Sequence, residues 1–207
     1  YDADLYEDFL HRINELLQSI GEKSDEELLL GCAEAVAILN DGHTYIEQYI
    51  VNEKTKVFPL GLIPIYTDGV MHAYIDAAPS GMDDLLLCRV DAINGVPLSE
   101  IMETFGRIVS HENMNWVEYY ALNYSSIYLD SLLLNCAFLR YYGIMGQENS
   151  AVFSITDETG AARDVTLSCV SIKDYPGMTY YYPSTEPEDD AALWKRGSGD
   201  VWYEMLD

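Results

Sequence analysis

The stretch Ser24-Asp25-Glu26-Glu27 constrains this chain most, because it fixes where a helix starts and what must precede it. A serine with a glutamate three residues on is a capping box: the hydroxyl and the carboxylate each satisfy a backbone N–H at the helix start. Before it, Leu5, Phe9, Ile13, Leu16, Leu17 and Ile20 recur at helical spacing, and Gly21 is expected to close that segment. After it, Leu28, Cys32, Ala35, Val36 and Leu39 form the apolar stripe of a second helix. Two short antiparallel helices bury too little to stand alone, so the hairpin must pack on something else.

The second helix runs into Leu39-Asn40-Asp41-Gly42-His43-Thr44. Gly42 reads as a helix stop in the left-handed conformation, which holds His43 at a rigid corner. An imidazole is the side chain whose ordinary titration range spans neutral pH, which suits it to proton transfer. A histidine near a helix C-terminus also has a plain structural explanation, since its charge suits the helix dipole.

From Lys56 the texture changes. Residues 57–66 read as one strand, edge-like because of Pro59 and Pro64. Thr67-Asp68-Gly69 is a hairpin turn, and Val70 to Ile75 alternates as the returning strand. A further strand is expected over Asp84 to Val90, and Asn94-Gly95 is a tight-turn signal. Ser99 is expected to cap a helix running to about Val109, and a second helical pattern covers Asn115 to Tyr142. Val152 to Ile155 and Asp164 to Cys169 form a closing hairpin around Asp157-Glu158-Thr159-Gly160. Pro183 to Asp190 has the composition of a solvated linker, and Val201 to Leu206 resembles a strand with no partner after it. The fold class is therefore α+β, an N-terminal helical hairpin followed by a strand-rich domain with a helical insertion.

Composition narrows the partners. The 207 residues hold 35 acidic and 11 basic side chains, a formal charge of −24. Such a surface repels phosphate backbones and argues against nucleic acid and anionic membranes. No apolar run approaches the ~18 residues of a membrane span. The cysteines Cys32, Cys88, Cys136 and Cys169 lie far apart without a C-x-x-C pair, so buried free thiols are expected. The other histidines, His11, His72 and His111, have no metal-ligand spacing, and no metal or cofactor is expected.

Two features in order carry a resemblance. The first is the helical hairpin ending in Asp41-Gly42-His43-Thr44; the second is Arg89-Val90-Asp91-Ala92-Ile93-Asn94-Gly95-Val96-Pro97-Leu98, a strand ending in I-N-G that leads to a helix, as in PDZ-like domains. Together they resemble the N-terminal part of the C-terminal-processing (tail-specific) serine peptidases, a family that includes the tricorn core. The resemblance implies a helical region at 1–50, a PDZ-like domain at 56–172 with a helical insert at 112–143, and a linker at 173–200. It also implies that 201–207 begin a catalytic α/β domain that lies beyond this chain. In the tricorn-like branch a histidine of the helical region serves as base for a serine in the later domain, and only His43 matches it. The chain has no G-x-S-x-G nucleophile elbow, so the serine is expected outside it, and the fragment alone is not expected to turn over.

The resemblance further implies a polypeptide substrate and an extracytoplasmic location. Gly61, Leu62 and Ile63, in Phe58-Pro59-Leu60-Gly61-Leu62-Ile63, match a PDZ-like groove that takes a peptide C-terminus by strand addition. An ordinary core strand with a close-packed glycine explains the same residues. The alternative to a peptidase part is a non-catalytic PDZ-like module that binds peptides or serves as structure.

Overall fold

The structure, a computed structural model, describes residues 3–46, 55–123, 131–174 and 176–180. Helix α1 (Ala3–Ser19) and helix α2 (Asp25–Ala37) form the expected hairpin. The capping box is present in both directions: Ser24 Oγ accepts the Glu27 N–H, and the Glu27 carboxylate accepts the Ser24 N–H at 2.8 Å. Helix α1 ends two residues before Gly21, which has open space where its Cβ would be.

The hairpin's own contacts are modest. Leu16 is the buried residue of α1 and presses on Gly31, where an added Cβ would collide with the Leu16 side chain. The Glu34 carboxylate adds a polar lock. It pairs with Arg12 of α1 and accepts hydroxyl hydrogen bonds from Tyr141 at 3.2 Å and Tyr142 at 3.1 Å. Burial pushes both tyrosines above their ordinary range, Tyr141 up to about 12, and the neighbouring Glu34 charge adds to the effect.

The strands are β1 (Lys56–Val57), β2 (Gly61–Thr67), β3 (Val70–Pro79), β4 (Arg89–Ile93), β5 (Val96–Pro97), β6 (Ser150–Thr156), β7 (Ala162–Ser168), β8 (Val170–Ser171) and β9 (Met178–Tyr180). The main sheet is antiparallel in the order β2-β3-β4-β6-β7, with β5 on β4 and β9 on β3; β1 and β8 pair separately. Asp68-Gly69 (φ 52° and 78°) and Asn94-Gly95 (φ 48° and 78°) make the two tight turns, both needing positive φ at two successive residues. Helices α3 (Leu98–Phe105), α4 (Met114–Asn123) and α5 (Cys136–Tyr141) complete the described elements. One continuous core joins Leu30 and Ala33 of α2 to Phe58, Ile93, Ile101, Phe105 and Phe153. The fold is α+β, as expected.

Several boundaries differ from the sequence reading, each for a local reason. The run 57–66 breaks at Phe58-Pro59-Leu60, because β1 pairs with β8 while β2 pairs with β3. Asp84 to Val90 is not one strand: residues 83–85 form a 3₁₀ turn and Leu87 has φ 63°, which a strand cannot hold. Ser99 does not cap α3, whose N-cap is Pro97, and the helix stops at Phe105 rather than Val109. The helical pattern from Asn115 to Tyr142 is broken by the extended backbone of Ser131 and Asn135. Asn135 forms a β-bridge with Val57 and caps α5 with its side chain, so its backbone serves the sheet instead of a helix. Strand β9 lies inside the stretch read as linker, held by its pairing with Ala77 to Pro79. The expectations for Pro183 to Asp190 and Val201 to Leu206 lie outside the described residues.

Cys88, Cys136 and Cys169 are buried free thiols and Cys32 is half-buried. Burial, with Cys169 as neighbour, raises the Cys136 thiol far above its ordinary range, which keeps it protonated and unreactive. No helix among the described residues is long and apolar enough to cross a membrane.

Candidate functional site

Helix α2 ends at Ala37, and Asn40 takes the left-handed conformation with φ 51°. The sequence reading gave that role to Gly42, and the structure moves it two residues back. Asparagine tolerates left-handed backbone because its short amide can hydrogen-bond locally. Gly42 is needed for a different reason. A Cβ there would lie 2.8 Å from Glu112 Oε2 and 3.1 Å from Trp116 Nε1.

The corner is docked onto the connection between α3 and α4. The Asp41 N–H donates to Ser110 Oγ at 3.1 Å, and that hydroxyl donates back to the Asp41 carbonyl at 2.8 Å. The Gly42 N–H donates to Glu112 Oε1 at 3.0 Å. Ser110 is 3% exposed, so this lock is shielded from water. Trp116 backs the corner and packs against Tyr119 and Tyr120 at ring separations of 5.9 and 5.0 Å.

His43 projects from this fixed base. Its side chain is 93% exposed, while its N–H donates to Asp41 Oδ1 at 3.0 Å and its Nδ1 lies 3.9 Å from the same oxygen. Thr44 Oγ1 donates to the other Asp41 oxygen at 2.6 Å. The Thr44 hydroxyl, and after it the His43 N–H, hold the Asp41 carboxyl below the usual carboxylate range. Asp41 is thus a fixed anion behind an imidazole open to solvent. The arrangement can accept a proton from a group delivered from outside, with the carboxylate favouring the imidazolium that forms. Ser110 is no nucleophile for it, because its hydroxyl is committed to the Asp41 backbone.

The other residues singled out in the sequence fall elsewhere. Gly61, Leu62 and Ile63 begin β2, an edge strand of the main sheet; Gly61 and Leu62 are buried and Ile63 is half-buried. Helix α4 packs on β2, with Val117 and Ala121 fully buried and Tyr66 Oη donating to Glu118 at 2.7 Å. The insert therefore lies against the strand that peptide addition would use. Beyond it, a groove of about 470 Å³ is lined by Met71, His72, Asp91, Met102, Glu103 and Glu118, among others. His11 sits 3.4 Å from Glu15 on the surface of α1, and the His111 ring contacts the Val109 carbonyl at 2.6 Å.

Sequence reasoning missed Ser110, Glu112 and Trp116, which lie some 70 residues from the corner they hold. The single trace was the polar His111-Glu112 pair in a loop. Together Asp41, His43 and Glu112 place one ligand atom each within 4.8 Å of one another.

No protein-family model matches the chain, and no curated protein matches it in sequence. Among solved structures, the chain is similar to mature CPAF in complex with lactacystin, with TM-score 0.51 and 12% identity over 83% of this chain and 30% of that one. A second structure of mature CPAF has TM-score 0.51 and 12% identity over 79% of this chain and 29% of that one. The chain spans about a third of the length of these neighbours, and at this identity the likeness is one of fold. The fold is one found in a chlamydial serine protease.

Proposed function

We propose that this chain is the N-terminal helical and PDZ-like part of a tail-specific or tricorn-core-like serine peptidase, and that it supplies His43 as general base. The serine nucleophile belongs to a catalytic domain beyond these residues, so this part alone does not hydrolyse peptides. The observation that carries the reading is His43 itself, an exposed imidazole on a corner locked through Ser110 and Glu112, with the Asp41 carboxylate 3.9 Å from Nδ1. The fold shared with CPAF, a serine protease, supports the same reading.

The chemistry follows the serine-peptidase pattern. A serine hydroxyl is a weak nucleophile until a neighbour removes its proton. His43 takes that proton as the serine oxygen bonds to the peptide carbonyl carbon, Asp41 stabilises the imidazolium, and His43 gives the proton to the departing amine as the C–N bond breaks; water, deprotonated by His43, then hydrolyses the acyl-enzyme and frees the serine. The substrate is a polypeptide, and the location extracytoplasmic, as in the family. The test is labelling of the full-length parent with a fluorophosphonate probe. A serine beyond residue 207 that takes the label in the parent, and not in His43→Ala, supports the reading. A full-length reading frame without a serine at a strand-to-helix turn overturns it.

A second reading, from the edge position of β2, is a non-catalytic module that adds a peptide strand along Gly61, Leu62 and Ile63. Helix α4 on that strand weighs against it. Titration with a library of C-terminal peptides separates the two.

A further inference from the structure

We infer that the outward face of α1 is a self-pairing surface, on which a second copy of this chain lays its own α1 antiparallel. The apolar residues of α1 divide between two faces. Leu5, Phe9 and Leu16 are half-buried or buried, and Leu16 presses on Gly31 of α2. Tyr6, Leu10, Leu17 and, one residue past the helix, Ile20 are between 40% and 60% exposed. With half-buried Ile13 between them, they follow one another by four and three residues in strict alternation. Side chains at that 3.5-residue period form one line along a helix, the seam by which helices pair. A surface helix needs one apolar face for its own domain, and α1 carries a second.

The polar residues beside the seam indicate what covers it. Asp4, Glu7, His11, Asn14 and Gln18 are exposed along its open side, and only the first two are acidic. A basic helix would meet complementary charge over the first turns alone. A second copy in the parallel sense would bring both Asp4 and both Glu7 side chains together at one end, where they repel. The antiparallel sense separates them: Glu7 comes opposite Asn14 of the second copy, and Asp4 opposite its Gln18. The same register sets Ala3 against Ile20, Tyr6 against Leu17 and Leu10 against Ile13, so every seam residue has an apolar partner. Two-fold symmetry repeats each of these layers, as an isologous interface requires.

Two hairpins joined in this way make a four-helix arrangement, with α1 and α2 from each copy. The pairing does not depend on the role of His43. Helix α1 has 17 residues, about 25 Å, and offers less than the roughly 800 Å² per partner of a stable interface. Association is therefore weak, with a dissociation constant on the order of 10 µM. Because each copy carries a charge of −24, added salt strengthens it by screening the repulsion.

The test is sedimentation equilibrium of the 207-residue chain across micromolar concentrations, expected to show exchange between 23.4 kDa and twice that mass. Leu10→Gln combined with Leu17→Gln should weaken association by at least about 10-fold. Both side chains are exposed in the single chain, so circular dichroism and the urea midpoint should stay at their wild-type values. Val70→Thr, at an exposed apolar residue away from α1, should leave association unchanged. Asn14→Lys sets a lysine opposite Glu7 of the second copy and should tighten association by roughly 3-fold. Loosening by Asn14→Lys would overturn the antiparallel sense. A chain that stays monomeric throughout, or a dimer that the double variant leaves intact, overturns the surface. A monomeric chain whose α1 amides gain hydrogen-exchange protection from an added basic helical peptide gives the face to a basic partner and overturns self-pairing.

Discussion

The Gly42 N–H donates to Glu112 Oε1 at 3.0 Å, and a Cβ at Gly42 would stand 2.8 Å from the other oxygen of that carboxylate. The hydrogen bond and the close approach involve the two oxygens of one carboxylate. Gly42→Ala should displace the exposed Glu112 carboxylate and cost about 1 kcal/mol, the order of one net hydrogen bond. A double-mutant cycle with Glu112→Ala, read by urea unfolding, should show strong non-additivity. Additive effects would show that the two residues act apart.

Ser110 makes the corner's second attachment, and it does so twice, accepting the Asp41 N–H and donating to the Asp41 carbonyl. Ser110→Ala leaves both backbone groups without their partner in a buried place. The expected loss is about 1–3 kcal/mol in urea unfolding. Hydrogen exchange at the Asp41 amide should quicken in the same variant. An unchanged exchange rate would mean that the corner is held by Glu112 alone.

Glu34 ties α1, α2 and α5 through Arg12, Tyr141 and Tyr142. Glu34→Ala should cost about 1–3 kcal/mol, because it leaves two half-buried tyrosine hydroxyls without their acceptor and Arg12 with Glu15 alone. Tyr141 titrates at about 12, above its ordinary value near 10, so folding favours the protonated phenol. That contribution is complete below pH ~10 and is lost as pH rises from ~10 towards ~12. The urea midpoint should fall across this window, and the fall should be shallower in Tyr141→Phe. Parallel curves would remove Tyr141 from the alkaline transition.

Helix α4 packs against β2, with Val117 and Ala121 fully buried, so a peptide added along β2 would have to fit beside it. Peptides ending in a free carboxylate should therefore leave the Leu62 and Ile63 amide resonances of the intact chain unshifted. Shifts confined to those amides would show that the edge accepts a strand with α4 in place.

What was legible in the sequence was what neighbours along the chain decide. The capping box at Ser24 and Glu27 and the turns at Asp68-Gly69 and Asn94-Gly95 depend on residues within three positions, and all form as expected. Distant partners were not legible. Leu132, Leu133 and Leu134 keep an apolar pattern whether the backbone is α-helical or not, so nothing local revealed that Asn135 bridges to Val57. Gly42 has the same history: its local meaning, a helix stop, falls to Asn40, and its real constraint comes from Glu112 and Trp116. His43 could be singled out because a glycine corner is a local signal. The residues that hold that corner could not.

The most direct test of the account is kcat/KM for peptide hydrolysis by the full-length parent, compared between wild type, His43→Ala and the surface control His11→Ala. If His43 is the general base, His43→Ala lowers kcat/KM by at least about 10³-fold, mainly through kcat, with an unchanged unfolding midpoint. His11→Ala stays at the wild-type rate. A His43→Ala parent that cleaves peptide at the wild-type rate contradicts the account.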